Sequence, residues 1–323
     1  MKRVRLTQQE IVFAVFVVLF ISCSVFLRGF FSSDNMLTLL QNVAVLGILG
    51  LAMAIVIIGR GIDISLIAAL AVPPGMVLQL VLSGQPLGPS IVLAIGLAII
   101  FGLVNGWLIA FAEVPSIFAT LASGLFLAGF GQSVVFDLDV VPWSKGMEGF
   151  EWLGQGDLLG VPMPVIMFII ACVAVAILLR ATRWGAYIYA IGDNPSAARV
   201  TGIPTRPIIV MQYVLAALIG CFAGLVLASS VSSMPTRIFN STLIYDVILV
   251  VVLGGIGLTG GRGGAVNVVL GTLLIGTMLN AMTIMNMPYS TQNLVKGVIL
   301  LFAVITDSVL NPRNEETAQQ GDI

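Results

Sequence analysis

Long uncharged apolar runs alternate with short polar gaps along the chain, and this pattern predicts ten membrane-spanning helices. They run over approximately 11–27, 37–58, 65–82, 90–111, 116–136, 163–179, 207–230, 243–258, 265–286 and 291–306. A helix crossing a ~30 Å hydrocarbon core needs about 20 residues, and most of these runs are near that length. Pro73-Pro74 predicts a break or kink in the third, and the glycine-rich stretch after the eighth is a poor continuation of a helix. An even number of spans puts both termini on the same side.

Composition makes the bilayer reading firm. The 323 residues are 59% hydrophobic and 9% charged, with a mean hydropathy of +1.10, against roughly 45–50% apolar and 25% charged in soluble domains. There is no histidine, and each of Cys23, Cys172 and Cys221 lies within an apolar run. A Cys/His metal site, a Cys-His dyad and a Ser-His-Asp triad are thereby excluded. No catalytic residue is assigned, and a net charge of −1 gives no reason to expect nucleic acid. The first run resembles a signal peptide in layout. It is 17 residues long, however, and Phe20-Ile-Ser-Cys23 is a poor cleavage site, so a retained first helix is expected.

Charge sets the sidedness. With the N-terminus in the cytoplasm, Lys2, Arg3, Arg5, Arg60, Arg180, Arg183, Arg199, Arg206, Arg262 and Arg313 fall inside, and Arg28, Lys145 and Arg237 outside. This bias predicts N- and C-termini in the cytoplasm. The outer loop 137–162 carries Asp137, Asp139, Glu148, Glu151 and Asp157, with Trp143 and Trp152 suited to the headgroup level. Glycines at or near one-turn spacing, Gly47 with Gly50, Gly220 with Gly224 and Gly271 with Gly276, suit close helix packing in lipid. No linker divides the chain before Asn311, so 1–310 reads as one transmembrane domain and 311–323 as a polar cytoplasmic tail.

Four stretches carry candidate chemistry. In the longest inner loop, 181–206, Asn194 is a good N-cap, Pro195 a good first helical residue, and Gly202 with Pro204 a stop, predicting a helix of about two turns outside the membrane. So short a helix is marginal alone and is expected to pack against something. In Gly59-Arg-Gly-Ile-Asp-Ile-Ser65, Asp63 and Ser65 are natural caps for the next helix and Arg60 is placed to pair with Asp63. The run Leu253-Gly-Gly-Ile-Gly-Leu-Thr-Gly-Gly-Arg-Gly-Gly264 lacks the Gly-Lys-Ser/Thr of a phosphate loop, so any ATP is hydrolysed by another subunit. Finally, Asp246 and Lys296 are ionisable residues inside spans, where each costs roughly 2.5–3.5 kcal/mol. At ~1.5 Å rise per residue both lie in the outer half, within about 3 Å of a common level, which predicts a charge pair.

At these residues the chain resembles the permease subunit of ribose-type importers of the ATP-binding cassette class. That family carries simple sugars and is related to branched-chain amino-acid permeases. The likeness is collinear from Gly61-Ile-Asp-Ile-Ser65, through Asn105-Gly-Trp-Leu-Ile109 and Gly192-Asp-Asn-Pro-Ser-Ala-Ala-Arg199 with Gly202-Ile203, to Val252-Leu-Gly-Gly255, Gly260-Gly261 and Gln292-Asn-Leu-Val-Lys-Gly297. It departs at Leu66-Ile67, where a small residue is common, and at Ile244, where many members carry Glu. The resemblance implies an all-α, type II-like bundle of about ten helices that dimerises with a second permease subunit in the inner membrane. It also implies two cytoplasmic ATP-binding subunits, which use the ATP, and a periplasmic sugar-binding protein; the chain itself needs no cofactor. By the same resemblance Asp193, Asn194, Pro195, Ser196, Ala197, Ala198, Arg199 and Gly202 form the coupling helix that seats in the ATPase.

The leading reading is therefore a permease that moves a monosaccharide or small polyol. Asn42, Asn105 and Phe118 are candidates for its path. A branched-chain amino-acid permease is the nearest alternative. A secondary transporter coupled through the intramembrane Asp and Lys is further off, and a membrane enzyme lacks any paired carboxylates or nucleophile motif.

Overall fold

A computed structural model describes residues 8–310 of the chain. The basic Lys2, Arg3, Arg5 and Arg313 and the expected tail 311–323 lie outside the described residues. The described chain is a helical bundle of α1 (Gln8–Phe26), α2 (Ser33–Ile58), α3 (Leu66–Leu82), α4 (Leu87–Ala110) and α5 (Ser116–Phe130), the last prolonged by a π-helical turn to Val135. A compact excursion follows, with β1 (Val140–Pro142), a one-turn α6 (Trp152–Gln155), β2 (Asp157–Leu158) and β3 (Val161–Pro162). The bundle resumes with α7 (Met163–Ala181), α8 (Arg183–Asp193), α9 (Pro195–Val200) and α10 (Thr205–Val231). After β4 (Ser233–Pro235) it closes with α11 (Leu243–Leu253), α12 (Ala265–Ile284) and α13 (Tyr289–Leu310). Strand β1 pairs antiparallel with β4, Val141 opposite Met234, which knits the two long loops of one end together. Helices α8 and α9 lie at the other end.

Eight of these helices have the length and hydropathy to cross a bilayer, and they match eight of the ten predicted runs. The remaining two, α3 and α11, are shorter. Helix α11 stops at Leu253 rather than 258, because Gly254 and Gly255 begin an irregular stretch that continues to α12. Non-helical backbone at such a place is tolerated only inside protein, and Ile256 is fully buried there.

Helix α2 is the axis of the bundle. Every residue from Val43 to Ile58 is buried, and α7, α10, α11 and α12 all pack on it. Without water between helices, what selects these contacts is close backbone approach. Gly47 faces the Phe168 ring of α7, and Gly50 faces Val268 and Val250. On the opposite end α2 is fixed to α12 by Asn35 and Asn280, whose amides exchange two hydrogen bonds of 3.0 and 2.9 Å.

The expected break at Pro73-Pro74 does not occur, since α3 runs unbroken through both. Two prolines remove the N–H groups that would bond the Ala69 and Leu70 carbonyls. The Leu70 carbonyl is met by Gly224 of α10, where a Cβ would strike it, and Gly220 one turn earlier lies against the Ala69 side chain and the Leu66 carbonyl. A bare glycine Cα at Gly224 gives the freed oxygen room for close approach. Gly102 and Gly106 of α4 do the same against the backbone of α10 at Val214 and Val210.

This packing carries a prediction. A Cβ at Gly102 would stand 2.5 Å from Val214 Cα, whereas nothing lies within 4 Å of one at Gly129. Gly102→Ala should lose about 1–3 kcal/mol as an overpacked contact, read as a lower melting temperature in detergent. Gly129→Ala should be neutral or slightly stabilising. Equal effects of the two would contradict the packing described.

Candidate functional site

Three constellations bear on function, two at the α8 end and one at the opposite end. The first is the α8–α9 pair. Thr182 caps α8, its Oγ1 accepting the Gly185 N–H at 3.1 Å, and Gly185, Ile188, Ile191 and Gly192 form the buried face. This helix precedes the one read from sequence. Its signal was the capping threonine followed by apolar positions at helical spacing. Asn194 then caps α9, its Oδ1 accepting the Ala197 N–H at 3.0 Å, with Pro195 in the first turn. The helix closes where Ile203 N–H returns to the Ala198 carbonyl at 3.1 Å and Gly202 turns left-handed at φ +83°. Of α9, Ala198 is buried while Ala197 and Arg199 are exposed, and Val200 is 90% exposed.

What α8 and α9 pack against is the end of α2 and the glycine-rich loop. A Cβ at Gly192 would run into the Ile58 carbonyl, and Gly261 N–H donates to that same carbonyl at 2.8 Å. Gly260 and Gly261 are both left-handed, at φ +81° and +74°, and a Cβ on Gly261 would stand 3.0 Å from the Asp193 backbone. Tyr189 Oη donates to the Gly263 carbonyl at 2.7 Å, and burial raises this phenol against the lowering influence of Arg180. The run that resembled a phosphate loop is thus spent on backbone contact between three segments.

The second constellation surrounds Gly59 to Ser65. Asp63 is buried and bonds Ser65 twice: its Oδ1 accepts the Ser65 N–H at 3.0 Å and the Ser65 hydroxyl. The expected ion pair with Arg60 is absent, since Arg60 occupies a left-handed conformation at φ +73° and no ion pair among the described residues joins it to Asp63. Burial raises the Asp63 carboxyl to about 6, the Ser65 hydrogen bonds opposing that shift. Asn105 Nδ2 donates to Ser65 Oγ at 2.9 Å. From α5, Ser116 Oγ accepts the Ile62 N–H at 3.2 Å and Thr120 Oγ1 the Ile64 N–H at 3.1 Å. Tyr213 of α10 sits over Gly61, and Gln212 over Gly59. Of the three path candidates, Asn105 alone enters this cluster; Asn42 and Phe118 are exposed elsewhere, on α2 and α5. Sequence reading took Asp63 and Ser65 as caps and missed Ser116, Thr120, Gln212 and Tyr213, because lone polar residues in apolar helices carry no spacing signal of their own.

The third lies toward the opposite end, between α11 and α13. Lys296 Nζ is 2.9 Å from Asp246 Oδ1 and 3.0 Å from Oδ2, and both residues are buried. The ammonium also donates to Thr242 Oγ1 at 3.3 Å and lies 5.7 Å from the Tyr289 ring centroid. Thr242 in turn shares a 2.7 Å hydrogen bond with Tyr289 Oη and donates to Asn293 Oδ1 at 3.2 Å. Tyr289, Asn293 and Lys296 repeat at four and three residues, one face of α13. That face was legible in the sequence, although only its lysine was read.

Removing one partner of such a buried pair typically costs about 3–5 kcal/mol, while replacing both is often nearly neutral. Asp246→Asn and Lys296→Met should each lower the melting temperature in detergent, and the double variant should regain most of the loss. Strictly additive losses would mean that the pair contributes no coupling.

The geometry now has relatives. The family described as branched-chain amino acid transport system / permease component matches residues 35–304. The ribose import permease of Bacillus subtilis (strain 168) is 35% identical over 291 residues, covering 90% of this chain and 89% of its own. The ribose import permease of Escherichia coli (strain K12) is 33% identical over 282 residues, 87% of each. The L-arabinose ABC transporter permease of Azospirillum brasilense is 33% identical over 310 residues, 95% of this chain and 88% of its own. No solved structure matches the chain. A collinear match across all but the ends places the chain in the branched-chain amino acid transport system / permease component family, alongside the ribose import permeases.

Proposed function

We propose that this chain is the membrane subunit of an ATP-driven importer that carries a monosaccharide or a related small polyol across the bacterial inner membrane. In this reading two cytoplasmic ATP-binding subunits, a periplasmic sugar-binding protein and a second permease subunit complete the machine. The sugar class is supported by relatives named for ribose, galactofuranose, L-arabinose and fructose, all at 31% identity or more. The chain itself performs no covalent chemistry. It offers a path and answers to motion imposed from the cytoplasm.

The observation that carries the reading is the split character of α8 and α9. One side, Gly185, Ile188, Ile191, Gly192 and Ala198, is buried against the bundle; the other, Ala197, Arg199 and Val200, faces outward with none of the described residues over it. An apolar residue left 90% exposed on a two-turn helix outside the spans suits a partner's groove. Arg60, Arg180, Arg183, Arg199, Arg206 and Arg262 belong to the same end by the alternation of the helices, while the loop 137–162 with its acids belongs to the other. That distribution supports a cytoplasmic α8 end. Coupling then runs from the ATPase to α9, through α8 and Gly192, to the end of α2.

One experiment tests both orientation and docking. With Cys23, Cys172 and Cys221 replaced, Val200→Cys should resist a charged thiol reagent in intact cells and react in inverted vesicles stripped of the ATPase. Restoring the ATPase should protect it. In the same strain Ala197→Glu should abolish most uptake of labelled sugar by placing a charge in the docked face, with membrane insertion retained. Reaction in intact cells would overturn the orientation, and normal uptake by Ala197→Glu would overturn the coupling role.

A further inference from the structure

The cluster around Asp63 is costly in a way that stability alone does not explain. Asp63 is 2% exposed, and no cationic side chain among the described residues lies in an ion pair with it. Beside it Asn105 Oδ1 and Gln212 Nε2 are buried with no hydrogen-bond partner among the described residues. A buried polar group left unsatisfied is costly, and a buried unpaired carboxylate more so. One such carboxylate and two such amide atoms around a short segment make its closed arrangement expensive relative to one that admits water.

The segment also sits where force arrives. Residue Ile58, whose carbonyl meets Gly261 N–H and the backbone of Gly192, is followed directly by Gly59 to Ser65. The far side of that segment is held by side chains of three helices: Asn105 of α4, Ser116 and Thr120 of α5, and Tyr213 of α10. A displacement of α8 and α9 at Gly192 therefore acts first on a stretch of backbone that side chains of α4 and α5 hold and that Tyr213 of α10 overlies, near the cytoplasmic end.

We propose that Asp63, Ser65, Asn105, Thr120 and Tyr213 form the inner gate of the translocation path, closed here and opened by movement of the Gly59 to Ser65 segment. This rests on the permease reading above. When the gate opens, the carboxylate and the amides gain the partners they lack, first from water and then from the hydroxyl groups of a passing polyol. Each is a group that exchanges hydrogen bonds with hydroxyls. The unsatisfied groups lower the cost of opening, since hydration returns what closure withholds, and the return of the segment to Asn105, Ser116 and Thr120 reseals the path.

The test is accessibility during transport. In the cysteine-free permease assembled with its ATPase, Ser65→Cys and, separately, Thr120→Cys are exposed during ATP turnover to a small charged thiol reagent, beside Ala52→Cys as an equally buried site on α2. A gate predicts reaction at 65 and 120 at least about tenfold faster than at 52, because only the former residues see water as local opening occurs. Either position suffices if the other variant does not assemble. If both remain as inert as position 52 in a complex that hydrolyses ATP and transports, the gate inference is wrong. Labelling is read without reference to the cargo, so an error in the sugar assignment would show in uptake specificity and leave this outcome unchanged.

Discussion

A helix that ends inside a protein leaves its last carbonyls without helical partners, and in a bilayer no water is at hand to take them. At the end of α2 every one is accounted for. Gly61 N–H reaches back to the Val56 carbonyl at 2.9 Å, Arg60 N–H to Ile57 at 2.9 Å, and Gly261 N–H to Ile58 at 2.8 Å. The last of these comes from a loop two hundred residues away in the chain. It obliges that loop to come within backbone distance of α2, which only glycines allow, and it obliges α8 to present Gly192 at the same spot. The buried axis of the bundle, its irregular loop and the α8–α9 pair are therefore joined through one carbonyl oxygen.

The rest of the fold follows the same accounting. Prolines in α3 free two carbonyls, and Gly224 of α10 covers that of Leu70; asparagines at 35 and 280 satisfy one another across the opposite end. Where a charge enters the bilayer it does so with its partner, as Asp246 does with Lys296, and the pair clamps α13, which is otherwise largely exposed, onto α11. Asp63 breaks the pattern. No ion pair among the described residues balances it, and it stands close to the joint at Ile58.

Much of this was legible in the sequence. Hydropathy alone places the spans to within a few residues, since a run of twenty apolar residues has little else to become. The Asn194-Pro195 start and Gly202 stop define α9, because capping is a local matter of one side chain and one or two amides. Asp246 and Lys296 share a level simply from the rise of a helix. What stayed hidden depends on which faces meet. The prolines at 73 and 74 look like a break until Gly220 and Gly224 are seen opposite them, and Asp63 looks like a cap until Asn105, Thr120 and Tyr213 close around it. Phe118 and Asn42 looked like path residues by type alone, and residue type says nothing about orientation.

The proposed entry of motion into the bundle, at the contact of Gly192 with the Ile58 carbonyl, is read in the number of sugar molecules moved per ATP hydrolysed by Gly192→Ala. A methyl group there meets the Ile58 carbonyl and pushes α8 and α9 away from α2 while every residue on the exposed face of α9 stays the same. The account predicts a complex that assembles and hydrolyses ATP while transport per ATP falls at least about tenfold, the scale on which a ~1.4 kcal/mol loss of coupling would be read. An assembled complex with an unchanged transport ratio would contradict it.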